Sequence, residues 1–122
     1  MSDARAAMGK QAEDIAARFV EKQGLAVIAR NFKTKAAEID IIARDRDVLC
    51  FIEVKARSSD RFGLPQEAVG AHKQHKIILA AQEFLKDRKL EACRCRFDVI
   101  SVMMGPDGPK CDHIASAFEA GE

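Results

Sequence analysis

Val48-Leu49-Cys50-Phe51-Ile52-Glu53-Val54-Lys55 is an apolar run that ends in an acid and a base. Read as a β-strand, it alternates its side chains between two faces. Val48, Cys50, Ile52 and Val54 share one face, and Leu49, Phe51, Glu53 and Lys55 share the other. Both faces begin apolar, the pattern of a central strand covered on both sides. Folding alone does not favour the charged end, because a partly buried carboxylate or ammonium costs on the order of several kcal/mol unless compensated.

The segment before it adds more charge. Ala37 to Arg44, with Glu38-Ile39-Asp40-Ile41-Ile42 inside it, reads as a second strand, and the polar Asp45-Arg46-Asp47 between the two predicts a hairpin. With Asp45 and Arg46 as a two-residue loop, Arg44 pairs with Asp47, Asp40 with Phe51 and Glu38 with Glu53. Glu38, Asp40, Glu53 and Lys55 then converge on one side of the sheet. Any even loop keeps Asp40 and Glu53 on a common face, whereas an odd loop without a bulge separates them. Carboxylates gathered this way repel one another. A divalent cation relieves that repulsion, and carboxylate oxygens are the ligands Mg²⁺ prefers. Such an ion activates water and stabilises charge on a phosphoryl group, with Lys55 beside it to support the same anion or orient the water. The competing reading is a structural salt bridge of Lys55 with Glu53 or Glu38. An isolated Glu-x-Lys is a weak signal, and the ordered set of Asp40, hairpin and Glu53-Val54-Lys55 is a stronger one.

Working outward, Asp3 to Gln23 predicts an amphipathic helix with Met8, Ala12, Ile15, Ala16, Phe19 and Val20 on one face, stopped by Gly24. Glu13 falls at the edge of that face, from which it would reach the site as a further carboxylate. Leu25 to Phe32 predicts the first strand. Ser58 to Leu64 reads as a polar loop, Pro65 as the opening of the next element, and Ala71 to Arg88 as a second helix with Ile77, Ile78, Ala81, Phe84 and Leu85 inward. Lys73 borders that apolar face and either contacts phosphate or snorkels from its edge. Arg96 to Met103 and Cys111 to Phe118 predict the last two strands, around the turn Gly105-Pro106-Asp107-Gly108. Met103-Met104 reads as strand-end core. The expected order is α-β-β-β-α-β-β, an α/β mixed sheet flanked by helices with one parallel crossover.

A chain of 122 residues suits one domain, residues 1–122, and 48% hydrophobic with 32% charged residues marks a globular composition. No apolar run is long enough to cross a bilayer, and Met1 to Lys10 is polar, so the expected location is the cytoplasm. Cys50, Cys93, Cys95 and Cys111 lack the paired spacing of a zinc site. Reduced thiols fit them better than a cluster of Cys93, Cys95, Cys111 and His113. His72, His75 and His113 are expected on the surface. The net charge of +1 does not by itself argue for nucleic acid. Basic residues do cluster, at Arg30, Lys33 and Lys35, at Lys55, Arg57 and Arg61, and from Lys86 to Arg96, where phosphate contact and ordinary solvated charge are both open.

The series Glu38-Ile39-Asp40-Ile41-Ile42-Ala43, Phe51-Ile52-Glu53-Val54-Lys55-Ala56-Arg57, Phe62-Gly63-x-Pro65 and Phe97-Asp98-Val99-Ile100 resembles the YraN-like family of small bacterial proteins. Ala12-Glu13-Asp14-Ile15-Ala16, Asn31-Phe32 and Lys73 fit the same pattern, so the resemblance spans roughly Gly9 to Val102. That family is similar to archaeal Holliday-junction resolvases and to the PD-(D/E)xK nucleases, which have a restriction-endonuclease-like fold. The resemblance implies that Asp40, Glu53 and Lys55 are catalytic. It also implies that Glu13, Asp40, Glu53 and the backbone carbonyl of Val54 hold Mg²⁺ or Mn²⁺, with Glu38 in support. Lys73, Arg57 and Arg30 are the candidates for contact with nucleic acid, and Asp98 either belongs to the motif's function or anchors the sheet through a nearby Arg. Ile39 stands where the superfamily carries Pro, and Ala37 where the family commonly has Gly. The expected activity is a metal-dependent endonuclease cutting DNA, on branched or damaged structures. The alternatives are a non-catalytic nucleic-acid-binding protein and an interaction protein whose charged cluster is structural. A homodimer is also expected, with the last strand or Phe62-Gly63-Leu64 as its seam.

Overall fold

The structure, a computed structural model, describes residues 2–57 and 69–120, with side chains from residue 7 onward. The expected loop from Ser58, the Phe62-Gly63-x-Pro65 motif and Arg61 lie outside the described residues.

Helix α1 spans Ser2–Lys22. It buries Ala12, Ala16, Ala17 and Val20, with Ile15 and Phe19 at the margin. Small residues at this spacing let the helix lie close on the sheet. Gly24, at φ +97°, ends it. The N–H of Leu25 donates to the Val20 carbonyl and that of Gly24 to the Glu21 carbonyl, a Schellman cap in which Leu25 and Val20 also share the core.

Five strands follow: β1 (Ala26–Lys33), β2 (Glu38–Asp45), β3 (Val48–Arg57), β4 (Arg94–Gly105) and β5 (Gly108–Phe118), with helix α2 (Ala71–Asp87) between β3 and β4. They form one sheet in the order β1-β2-β3-β4-β5. Every neighbouring pair is antiparallel except β3 and β4, which run parallel, as the crossover through α2 requires. This is the mixed sheet, in the element order, that the sequence predicts.

The central strand is covered as its alternation implies. Cys50 and Ile52 pack toward α1 with Ile41, Ala43, Ile100 and Val102. Leu49 and Phe51 pack toward α2 with Ile77, Ala80, Ala81 and Phe84. An aromatic chain knits the α2 side. Phe32 and Phe51 meet Phe84 edge-on at 5.2 and 6.0 Å, and Phe51, Phe97 and Phe118 stack in succession at 5.5 and 5.2 Å. Such pairs contribute roughly 0.5–1.5 kcal/mol each beyond their burial. All four cysteines are free thiols. Cys93 and Cys95 pack on the α2 side and Cys111 on the α1 side, so the three do not form one cluster.

Three expectations need correction. The hairpin loop is Arg46-Asp47, with Asp45 opposite Val48 and Ile41 opposite Ile52. Asp45 stays in the strand because Arg96 Nη1 donates to its carboxylate at 3.1 Å, and Arg46 takes the turn at φ +60°. The paired residues therefore differ by two positions from the expected register. The loop remains even, so each side chain keeps its face.

His113, expected on the surface, is only 10% exposed, and its Nε2 donates to Asp98 Oδ2 at 2.8 Å. Asp98 is fully buried, and besides His113 it accepts from Arg96 Nε and from the backbone N–H of Ser116. Burial opposes its charge, but the hydrogen bonds from His113 and Ser116 and the Arg96 cation outweigh that and hold its carboxyl below the usual 3.8. Asp98 thus ties β4 to β5, and through His113 Nδ1 and Gln23 Oε1 (3.0 Å) to the end of α1.

Met103 and Met104 are half-buried rather than fully packed.

A group held ionised in this way stabilises the fold above its unfolded pKa, and that contribution is lost as pH falls below it. Asp98→Ala removes the buried acceptor shared by Arg96, His113 and the Ser116 N–H and is expected to cost about 3–5 kcal/mol in urea denaturation at pH 7. Asp14→Ala, which removes the exposed pair with Arg30, is expected to leave the urea midpoint nearly unchanged.

Candidate functional site

The site lies where β2 and β3 part. Their ladder stops at Ile41 and Ile52, and one step further along the same register places Asp40 opposite Glu53. The ladder ends there because Asp40 takes over one of its hydrogen bonds: Val54 N–H donates to Asp40 Oδ2 at 2.8 Å. The carboxyl therefore lies along the sheet, between the strands. The N–H and C=O of one strand residue leave the backbone on the same side. The Val54 carbonyl thus also projects toward β2, beyond that strand's last paired residue.

A break in β1 coincides with this turn of Asp40. Arg30 pairs with Ile41 and Phe32 with Ile39, while Asn31 between them stands at φ +52°. Asn tolerates the left-handed region better than most residues. Across the break the faces reverse, because Ile41 packs toward α1, whereas Ile39, two residues earlier, packs with Phe32 toward α2. Irregularities of this kind re-aim single side chains.

Glu53 follows Leu49 and Phe51 onto the α2 face and is only 5% exposed. Burial and the Glu53 charge push the Asp40 carboxyl up to about 8, and the Glu13 charge adds to this; the Val54 N–H opposes it only in part. A hydrogen bond between the two carboxyls acts in the same direction. At neutral pH Asp40 therefore keeps its proton.

Two ammonium groups reach the same Glu53 oxygen, Oε2, with Lys73 Nζ at 2.5 Å and Lys55 Nζ at 3.6 Å. Burial, then the neighbouring Lys73 charge, lowers the Lys55 ammonium. Burial acts on Lys73 in the same direction, but its contact with Glu53 outweighs this and raises it. The Lys55 salt bridge weighed from sequence thus exists, and it goes to Glu53. Lys73, read as a phosphate contact or a snorkelling side chain, makes the tighter ion pair.

Glu38 and Glu13 meet on the other flank. Asn31 Nδ2 donates to Glu13 Oε1 at 2.8 Å and to Glu38 Oε2 at 2.9 Å, one amide holding an acid from α1 and another from β2. Glu38 was expected beside Glu53 and Lys55. It is exposed instead, lining both a cleft of about 440 Å³ with Asp40, Glu53, His72 and Lys76 and a second of about 650 Å³ with Glu13 and Arg30. Arg30 is paired with Asp14 at 2.7 Å. Arg57 lies at the end of β3 opposite Met103.

The donor set is made of hard oxygens: the carboxyls of Asp40 and Glu53, the Val54 carbonyl and, further off, Glu13. Their chemistry fits Mg²⁺ or Mn²⁺. Among the described residues no three acidic, His or Cys side chains come close enough to hold an ion together. Two carboxyls and a backbone carbonyl are therefore the core of any such site. The sequence points to the two acids and Lys55, and it marks Asn31 only as a match to the family pattern, without the part its amide plays between Glu13 and Glu38.

Residues 12–102 match the profile of the Uncharacterised protein family UPF0102. A UPF0102 protein of Syntrophotalea carbinolica is 43% identical over 98% of this chain and 97% of its own length. Another from Pelotomaculum thermopropionicum is 38% identical over 97% of this chain and the whole of its own. A third, from Desulforapulum autotrophicum, is 43% identical over 98% of both chains.

The proton held on Asp40 sets a pH dependence. An acid raised in the folded state binds a proton that the unfolded chain releases from about pH 4 upward, so stability without metal falls as pH rises from there toward about 8. Asp40→Asn keeps an oxygen for Val54 N–H but cannot ionise. Calorimetry in EDTA is expected to show a gain in Tm from the substitution that is smallest at about pH 4 and grows as pH rises. At pH 9 the gain should be about 4 °C or more, the shift that corresponds to roughly 1 kcal/mol in a domain of this size.

Proposed function

The chain belongs to the Uncharacterised protein family UPF0102, and on that footing we propose that it is a metal-dependent endonuclease hydrolysing DNA phosphodiester bonds, with branched or damaged DNA as its substrate. The observation that carries this reading is half-buried Asp40 beside buried Glu53, where desolvation and mutual repulsion hold a proton on Asp40 to about pH 8. A structural core gains nothing from two acids it must keep protonated or neutralised. A site built to exchange that proton for a doubly charged ion does. The resemblance to PD-(D/E)xK nucleases assigns the same two acids, and Lys55 after them, to that work.

Asp40, Glu53 and the Val54 carbonyl would hold Mg²⁺ or Mn²⁺, with Glu13 as an outer acid and Glu38 in support. When bound, such an ion supplies a water acidified enough to attack at neutral pH and neutralises charge on the phosphoryl oxygens. The chain's own groups do the rest. Val54 N–H fixes the direction of the Asp40 carboxyl. Lys55, whose ammonium is lowered by burial, stands 3.6 Å from Glu53 Oε2, where it can orient a water or hold charge on the phosphorane-like transition state. Asn31 keeps Glu13 and Glu38 at the rim. Lys73, Arg57 and Arg30 are the cations nearest to hand for the DNA backbone, and cutting both strands of a duplex calls for a homodimer.

One observation favours a second reading, a non-catalytic nucleic-acid-binding protein: Lys73 and Lys55 already neutralise Glu53 without an ion. Incubation with branched and linear DNA in Mg²⁺ or Mn²⁺ separates the two. Cleavage is expected in wild type and is expected to fall at least about a hundredfold in Asp40→Ala, Glu53→Ala and Lys55→Ala chains that keep their far-ultraviolet circular dichroism. Salt-dependent binding without cutting by wild type would support the second reading instead.

A further inference from the structure

We propose that Lys73 is a displaceable counter-ion. It holds Glu53 while no divalent cation is bound, and passes to a phosphate oxygen of the nucleic acid once such a cation takes the carboxylate. The inference rests on the metal-dependent reading above and adds to it a step of assembly.

Both ammonium groups contact one atom, Glu53 Oε2. A single carboxylate charge cannot balance two cations, and the lowering of Lys55 by the Lys73 charge records their repulsion. A doubly charged ion shared by Asp40 and Glu53 draws on the same carboxylate charge that Lys73 holds at Oε2, and it adds charge beside both lysines. One of the two must withdraw.

Lys55 cannot withdraw easily. It stands within β3, paired with Ser101 of β4, and is 28% exposed. Lys73 is placed for it. It sits in the first turn of α2, its side chain is 46% exposed, and its four-carbon stem swings freely from there. One helical turn on, Lys76 is exposed and lines the same open cleft beside His72. A released Lys73 therefore moves toward Lys76, where an anionic backbone lowers the repulsion between the two lysines.

The experiment titrates metal-free full-length chain with Mn²⁺ by calorimetry, comparing wild type, Lys73→Met and Lys73→Gln. Separately, it measures affinity for a DNA four-way junction in Ca²⁺ across a salt series. Displacement predicts Mn²⁺ binding about tenfold tighter in both variants, since they no longer compete for Glu53, with that factor set by a half-exposed ion pair. It also predicts junction binding several-fold weaker, with a salt slope smaller by about one. Mn²⁺ binding that is unchanged or weaker in folded variants overturns the proposal and makes Lys73 a fixed strut. Tighter Mn²⁺ binding with unchanged junction affinity overturns the transfer to phosphate. If wild type and both variants take up no Mn²⁺, the metal-dependent reading itself fails, and displacement with it.

Discussion

The hydrogen bond from Val54 N–H to the Asp40 carboxyl decides the character of this end of the sheet. An ordinary antiparallel pair would have closed the ladder with a main-chain carbonyl and sent Asp40 to one face. Here a side chain takes the bond, the two strands part, and an acid is left in the sheet's plane where Glu53 and Glu13 both act on it. The αL turn at Asn31 accompanies this, and the same residue's amide gathers Glu13 and Glu38 at the rim. One substituted hydrogen bond thus links backbone geometry to the concentration of negative charge.

The molecule treats buried Asp98 and half-buried Asp40 in opposite ways. Asp98 is surrounded by donors, and its carboxyl lies below the usual range. Asp40 faces other acids and lies far above it. The first arrangement is what a fold needs from a buried carboxylate, since every oxygen is satisfied and the charge is stabilised. The second is costly unless something else enters, which is the physical reason for regarding Asp40, rather than Asp98, as the chemical centre. The lysines extend the contrast. The same carboxylate keeps Lys73 charged, while burial and Lys73 together weaken the hold of Lys55 on its proton.

Much of this was readable in the sequence, for identifiable reasons. The run from Val48 to Lys55 carries a period-two pattern with apolar residues on both faces, and only a central strand accommodates that. The sequence pairs Asp40 with Phe51, two positions from the observed register, yet it still brings Asp40 and Glu53 to the same end of the sheet, because that depends on the parity of the loop and not on its position. What escaped was set by distant contacts. Asp45 keeps its place in β2 through Arg96, 51 positions later. His113 is buried because Asp98, on the neighbouring strand, binds it, and its own surroundings in sequence are those of an exposed strand. Lys73 pairs with Glu53 only because α2 crosses the sheet at that point. Its position at the border of an apolar face was visible, but its partner was not. The small residues of α1 read correctly as one face, though Ala17, buried beside Ala16, shows how wide that face becomes when the helix lies close to the sheet.

The account stands on Asp40 and Glu53 holding one divalent cation between them. Anomalous diffraction from crystals soaked in Mn²⁺ measures this directly. The expected result is a single strong peak within about 2.0–2.4 Å of an oxygen from each of Asp40 and Glu53 and of the Val54 carbonyl, with Lys73 Nζ drawn away from Glu53. A map with no peak there, with Lys73 still seated on Oε2 at saturating Mn²⁺, would contradict it.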